Sequence, residues 1–319
     1  ITAGGTTNFT QVNDWKLGNV EIGKQDNYGN WVANTQFTLS YNADMSNPIG
    51  TYTTGSDGKV VVRDLDPRTV YIQEVSVPEH LVLNSTIQSV EIPAGGTTSF
   101  TQSNNWKQGQ IQVTKYDAKT DQVVKQAGVA FEIVKGGSVV ETIYTNENGV
   151  AISGKLDYGT YTVREAQAPE NYVITEVTAD ASISQDGQII ELTISNQPVT
   201  GSITLTKTDK ETGSVAQGDA TLAGAKYTLY AAEDIKDPAS GSVLFPANSE
   251  VTISGQWGDN ATKTFNGNDQ VQWSNLPLGN YYVKETQAPE GYLLDETAYQ
   301  ISLIYQDQET AHVSVHVDA

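Results

Sequence analysis

Cysteine is absent from the 319 residues, which removes disulfides, thiolate metal sites, cysteine nucleophiles and thioester chemistry together. Small secreted domains seldom bury enough apolar surface to stand without some covalent or metal support, so another source of support is worth seeking. Histidine is scarce as well. His80, His312 and His316 are too few for metal or general-base work, and neither a metal nor a cofactor is expected. Positive charge is also short: 18 Lys plus Arg stand against 38 Asp plus Glu, a net charge of −20. Phosphate contacts need clustered cations, so nucleic acid is not an expected partner. No apolar run is long enough to span a bilayer, and no membrane insertion is expected of this segment. The sequence also lacks an initiator Met, a basic-then-apolar leader and a sorting signal, and it reads as an internal piece of something longer.

What is present is repetition. Ile1-Thr-Ala-Gly-Gly-Thr-Thr-Asn-Phe-Thr-Gln-Val-Asn13-Asp-Trp15-Lys returns as Ile92-Pro-Ala-Gly-Gly-Thr-Thr-Ser-Phe-Thr-Gln-Ser-Asn104-Asn-Trp106-Lys, 91 residues later. Each copy precedes an alternating segment ending in Lys and Asp: Lys24 with Asp26, then Lys115 with Asp117; Lys207 with Asp209 closes a third such segment. A second landmark is an alternating segment that runs into a proline turn, through Glu74 to Pro78, Glu165 to Pro169 and Glu285 to Pro289. The Lys-to-Glu spacing is 50, 50 and 78, so the third unit carries 28 extra residues, placed within 231–270. The boundaries predicted are 1–16 for the terminal strand of a preceding repeat, 17–106 and 107–198 for repeats one and two, and 199–319 for repeat three.

Within each unit the apolar period is two. Phe37 and Leu39, Val60 and Val62, Phe131 and Ile133, Tyr227 and Leu229, and Ile301 and Leu303 alternate with polar residues, and Ser56-Asp-Gly58, Asn148-Gly149 and Gln185-Asp-Gly187 punctuate them. Only a short turn near Ala231 to Ile235 hints at anything helical. The pattern predicts an all-β chain of three tandem β-sandwich domains.

Alternation also places three polar residues inward in each unit. Lys24, Lys115 and Lys207 share a face with the apolar residues before them, as do Glu74 and Glu165 with theirs. In the last strands Phe100, Gln102 and Asn104 share a face, and so do Leu192, Ile194 and Asn196. A buried ammonium needs a partner, and a Lys–Glu ion pair without any covalent bond is one answer.

The strand-Lys-x-Asp pattern, Leu-Ala-Gly-Ala-x-Tyr-Thr-Leu-Tyr at 222–230 and Gly-x-Tyr-x-Val-x-Glu-x-x-Ala-Pro-Glu-Gly-Tyr at 279–292 carry a resemblance. The chain resembles the B-type repeat domains of collagen adhesins and the related SpaA-type pilin domains of Gram-positive bacteria. That resemblance implies immunoglobulin-like or prealbumin-like sandwiches, each closed by an isopeptide bond between a Lys amine and an Asn carboxamide, with a Glu as proton shuttle. It assigns Lys24, Glu74 and Asn104 to repeat one and Lys115, Glu165 and Asn196 to repeat two, with Asn105 as the fallback acceptor in the first. Asn13, whose Lys would belong to a preceding repeat, is expected to be unbonded. In repeat three Lys207 and Glu285 have no following Asn, and the resemblance points to Asp318 as an acceptor that would release water. Counting from the Gln185-Asp186 and Gln306-Asp307 turns sets Asn196 opposite Val317, one residue off. A bulge, an acceptor beyond Ala319 and an unbonded repeat are therefore all open.

The function implied is a monomeric stalk segment of a cell-wall-anchored surface adhesin or pilus-like protein, extracellular and without turnover. Its partners would be its own neighbouring repeats, and a host protein or glycan bound by an adhesive head outside the segment. The alternative is a binding module that meets a host protein or glycan through the insertion, where Trp257 and Trp273 would form either core or an aromatic surface. Trp15 and Trp106 are expected at domain junctions, and His312 and His316 on a strand surface.

Overall fold

The computed structural model describes every residue except 1, 2, 7–9, 12, 13, 15, 214, 215, 268 and 269. The expectations for Asn13 and Trp15 lie outside the described residues. Those described within 1–16 form no strand, and no described residue is helical.

Repeat one contributes β1 (Gly18–Asp26), β2 (Gln36–Ser40), β3 (Pro48–Thr53), β4 (Lys59–Leu65), β5 (Thr69–Ser76), β6 (Gln88–Glu91) and β7 (Thr97–Asn104). They form a three-stranded sheet β4-β1-β7 and a four-stranded sheet β3-β2-β5-β6. Val20, Ile22, Phe37, Leu39, Val70 and Ile72 fill the core, as the period-two pattern requires. The first and last strands lie side by side and parallel, with Lys24 opposite Gln102 and Asp26 opposite Asn104.

Repeat two follows the same plan with β8 (Gln108–Asp117), β9 (Ala130–Lys135), β10 (Ser138–Tyr144), β11 (Val150–Ile152), β12 (Leu156–Asp157), β13 (Gly159–Gln167), β14 (Thr178–Ile183) and β15 (Gln188–Asn196). Its four-stranded sheet is β10-β9-β13-β14, and β8 pairs with β11, β12 and β15.

Repeat three has β16 (Thr200–Thr206), β17 (Lys226–Ala231), β18 (Ile235–Lys236), β19 (Val243–Phe245), β20 (Thr262–Thr264), β21 (Gln270–Leu276), β22 (Gly279–Gln287), β23 (Ala298–Leu303) and β24 (His312–Asp318). Its sheets are β21-β16-β24 and β20-β17-β22-β23. β20 takes the place beside β17 that β10 takes beside β9, so the extra residues enter between β17 and β20 and carry the small β18-β19 pair. The chain is thus all-β, in three tandem domains.

By compactness the chain divides into two units. One is Ile1–Gly109 with Lys155–Gly159 and Ile183–Gln188; the other is Gln110–Gly154 with Thr160–Ser182 and Ile189–Ala319. Within the second, the insertion packs on repeat two: Ala239 joins Val124 and Tyr172 in one buried cluster, and the Lys125 amide donates to the Ala239 carbonyl at 3.0 Å. The Lys119 ammonium sits 4.1 Å from the centre of the Trp257 ring and also hydrogen-bonds Asn275. Trp257 and Trp273 are 1% and 0% exposed, so neither offers the aromatic surface that the binding-module alternative would use.

Candidate functional site: a Lys, Glu and Asn cluster inside each sandwich

The site begins with strand alternation. On β1, β8 and at the end of β16 the lysine follows two inward apolar residues, and Lys24 and Lys115 are fully buried while Lys207 is 8% exposed. Burial pushes the Lys24 and Lys115 amines below the ordinary lysine range, against the opposing pull of Glu74 and Glu165.

The glutamates come from β5, β13 and β22. Each stands opposite an aromatic residue of the neighbouring strand: Phe37 for Glu74, Phe131 for Glu165 and Tyr227 for Glu285. Immediately after each Glu the register slips, leaving Val75, Ala166 and Thr286 as the extra residue of a β-bulge. A bulge bends the strand and breaks its alternation, so the Glu ends its inward run there and the chain departs into the proline loop. Ten residues later a backbone amide returns to the carboxylate. Asn84, Thr175 and Asp295 donate to the Oε2 of Glu74, Glu165 and Glu285 at 2.9, 3.2 and 2.7 Å.

The other carboxylate oxygen faces the amine. Lys24 Nζ lies 3.7 Å from Glu74 Oε1, Lys115 Nζ 3.0 Å from Glu165 Oε1, and Lys207 Nζ 3.1 Å from Glu285 Oε1. Asn104 Nδ2 donates to Glu74 Oε2 at 2.5 Å, and Asn196 Nδ2 to Glu165 Oε2 at 2.7 Å and to the Val173 carbonyl at 2.6 Å. Each Glu in repeats one and two therefore has one oxygen toward the amine and the other toward the amide nitrogen. Asn104 Oδ1 and Asn196 Oδ1 are nevertheless buried without a hydrogen-bond partner, and Glu74 Oε1, Glu165 Oε1 and Lys115 Nζ have only the ion pair. Asn105, the fallback acceptor, is exposed, with its carbonyl accepting from the Val82 amide.

Repeat three differs. β16 and β24 are parallel with Thr206 opposite Asp318, which turns Asp318 away from the core. Its side chain is 73% exposed and meets His316 Nε2 at 3.0 Å. Asp318 is thus not brought to Lys207, correcting the expectation from sequence: one position along a strand reverses the face. In repeat one the acceptor lies opposite Asp26, two residues past the lysine, and by the same register the residue opposite Asp209 falls two positions past Ala319. Lys207 instead donates to the Tyr227 hydroxyl at 3.1 Å, a group that Phe37 and Phe131 do not have.

A second recurring element escaped the sequence reading. The Asp two residues after each Lys caps its turn: Asp26 Oδ1 accepts from the Tyr28 and Asn30 amides, Asp117 Oδ1 from Lys119 and Thr120, and Asp209 Oδ1 from Glu211 and Thr212. The other oxygen is tied to the proline loop in repeats two and three, by Tyr172 at 2.7 Å and Tyr292 at 2.8 Å. In repeat one Leu81 stands where those tyrosines stand, and the indole N–H of Trp106 donates to Asp26 Oδ2 at 3.0 Å instead. Trp106 thus anchors the turn of its own repeat. Burial pushes Asp26 up, but these hydrogen bonds prevail and hold it below the ordinary carboxylate range; Asp209 is likewise held low, chiefly by the Thr212 amide.

His312 and His316 lie on the exposed face of β24, hydrogen-bonded to Thr200, Ser202 and Thr206. No group of three His, Asp or Glu among the described residues could hold a metal ion, and no helix long and apolar enough to cross a membrane is found among them.

The domains so defined are prealbumin-like sandwiches whose first and last strands are neighbours. The model of the SpaA prealbumin-like fold domain matches residues 18–106, 109–198 and 201–318, and the chain belongs to that family. Among solved structures it is similar to the TIE protein of Bacillus anthracis, with 24% identity and a TM-score of 0.72 over 95% of this chain and 50% of that one. The chain therefore spans about half the length of the Bacillus anthracis protein. It is also similar to BcpA, the major pilin subunit of Bacillus cereus, with 16% identity and a TM-score of 0.41 over 95% of this chain and 99% of that one. No curated protein matches the sequence.

Proposed function

We propose that the chain is a stalk segment of a Gram-positive surface adhesin or pilus-like protein, with Lys24 joined to Asn104 and Lys115 joined to Asn196. The observation that carries the cross-links is the convergence of a buried Lys, Glu and Asn around a single carboxyl group, with the side-chain oxygen of each Asn orphaned. Orphaned buried polar atoms are costly and call for a reason. Condensation supplies one. The amine, neutral once its proton has passed to Glu74 or Glu165, attacks the Asn side-chain carbonyl carbon, the new C–N bond forms, and the bond to Nδ2 breaks. The carboxyl gives that proton to the departing nitrogen, which leaves as ammonia, and takes up the proton that the newly bonded nitrogen sheds. Folding holds the groups together, so the reaction needs no further component and runs once. Glu74 and Glu165 are the proton shuttles; Glu285 is placed for the same role, and by strand register its acceptor position lies past residue 319.

The location of the bonds suits a stalk. Because first and last strands are parallel neighbours, a bond between them carries tension past the roughly 80 residues it encloses, and those residues cannot be drawn out. The position is extracellular on this reading, and the immediate partners are neighbouring domains of the same kind. Intact mass of the denatured protein tests it. Two molecules of ammonia and no water should be missing, with one ammonia regained in each of Lys24→Ala and Lys115→Ala; the unmodified mass would reduce the clusters to buried ion pairs.

A further inference from the structure

The proline loops guide the chain as it leaves each domain. Residues 80–83, 171–174 and 291–294 are counterparts, because in each loop the next residue's amide returns to the repeat's Glu. In repeat one the Val82 amide donates to the Asn105 carbonyl at 2.9 Å and the Lys107 amide to the His80 carbonyl at 2.8 Å. In repeat two the Val173 amide donates to Gln197 at 3.0 Å and the Val199 amide to Asn171 at 2.8 Å. The segment leaving the last strand thus adds as a short extra strand along the loop, twice in the same register. In repeat two the loop also meets the next domain: Val173 packs on the core of repeat three, and the Ile174 amide donates to the Gln308 carbonyl at 2.7 Å.

In repeat three the same edge is bare. Among the described residues neither the Leu293 amide nor the Gly291 carbonyl has a backbone partner, and Leu293 and Leu294 are 95% and 48% exposed. Yet the edge is held in shape, by Tyr292 bonded to Asp209 and by the Asp295 amide bonded to Glu285. Two adjacent leucines in water beside unpaired backbone groups have the makings of a strand-addition site.

We propose that the Gly291–Leu294 edge is a docking site for a further SpaA-type domain. The extended lead-in of that domain pairs with Leu293 and Gly291, and its polar hairpin turn, the counterpart of Gln306–Thr310, covers Leu294. The occupant is read from the junction between repeats two and three, where counterpart residues are already covered in this way. The proposal goes beyond the stalk reading and needs no cross-link.

The test is a chain in which a second copy of residues 195–319 is joined directly after Ala319, which continues the β16–β24 register. Amide exchange at Leu293 and Leu294 should slow by about tenfold or more relative to the 319-residue chain, as an amide does on entering stable structure. Leu293→Asp in the longer chain should return Leu294 to fast exchange, while Lys207→Ala should leave the protection in place, separating docking from cross-linking. Equal exchange at Leu293 in both chains, with the core amides of the added copy protected, overturns the proposal. A third chain, carrying only Ser195–Gly201 after Ala319, requires no new domain to fold; unchanged exchange at Leu293 there overturns the strand addition itself.

Discussion

Repeats two and three answer the same problem, a lysine amine inside a sandwich, in different ways. In repeat two Lys115 faces Glu165, a phenylalanine and an asparagine, and its amine has no hydrogen-bond partner. In repeat three Lys207 faces Glu285 and a tyrosine whose hydroxyl it can use, and the strand register puts the acceptor position past residue 319. Burial favours the reactive neutral amine at both acceptor-bearing sites, although Lys24 in repeat one also donates to the Gln25 and Gln102 carbonyls at 2.8 and 3.3 Å. In repeat three the Tyr227 hydroxyl gives the lysine nitrogen a second polar partner. The two sites thus share a Lys–Glu ion pair, at 3.0 and 3.1 Å, and differ at one aromatic position, Phe131 against Tyr227.

The largest effect that would break this comparison is removal of the acceptor. Asn196→Ala should cost about 4–5 kcal/mol in denaturant unfolding of repeat two, the chain-entropy value for a closed loop of about 80 residues. The counterpart change in repeat three, Asp318→Ala, should cost almost nothing, since that side chain is exposed on the outer face. A comparable loss from Asp318→Ala would show that repeat three is bonded after all.

With Lys115 bonded to Asn196 as proposed, the same Asn196→Ala variant should acquire a pH dependence that the parent lacks. Its Lys115 amine remains free, and burial holds its pKa in the folded state below the unfolded value of 10.5. Between those two values the unfolded chain binds more protons, so stability rises with pH through the window and levels off near 10.5. Denaturant midpoints across that range check the sign. A flat profile would mean that the amine is paired rather than merely buried.

A smaller effect sharpens the contrast at the aromatic position. Tyr227→Phe makes repeat three resemble repeat two and leaves the Lys207 amine with Glu285 alone; a hydrogen bond to a charged group contributes about 2–3 kcal/mol. Thermal unfolding of the variant should fall accordingly. An unchanged midpoint would make the hydroxyl incidental.

The face of each lysine, glutamate and asparagine in repeats one and two was legible in the sequence because alternation along an unbroken strand is strict. Asp318 was misplaced because the resemblance named a residue type without fixing the register of β24 against β16; the count from the turn already stood one residue off, and one residue is enough to turn a carboxylate to solvent. The bulges at Val75, Ala166 and Thr286 left no local mark, since nothing in those residue types demands a bulge. The Asp-to-Tyr tie could have been found. Tyr172 and Tyr292 recur with Lys-x-Asp, and repeat one, which has Leu81 there, places Trp106 just after its Asn, a compensation readable across the repeats. The burial of Trp257 was not readable, because it depends on Lys119 and the rest of repeat two closing over an insertion with no counterpart elsewhere in the chain.

That tie supplies the finest test of the comparison. Tyr172 is fully buried, covered by Ala239 of the insertion, and its hydroxyl goes to the buried carboxylate of Asp117, whereas Tyr292 makes the same bond to the buried Asp209 from a loop whose Leu293 and Leu294 are exposed. Burial and the neighbouring carboxylate both push the Tyr172 hydroxyl up, so it stays a donor across the accessible pH range. Tyr172→Phe would leave Asp117 Oδ2 enclosed without its donor and should cost about 1–2 kcal/mol. Tyr292→Phe should cost less, because Tyr292 is itself only half-buried and the Gln217 side chain also donates to Asp209. If the two substitutions lowered the unfolding midpoint equally, the insertion would not be sealing the turn of repeat two, and the difference between a covered and an uncovered proline loop would have no energetic consequence.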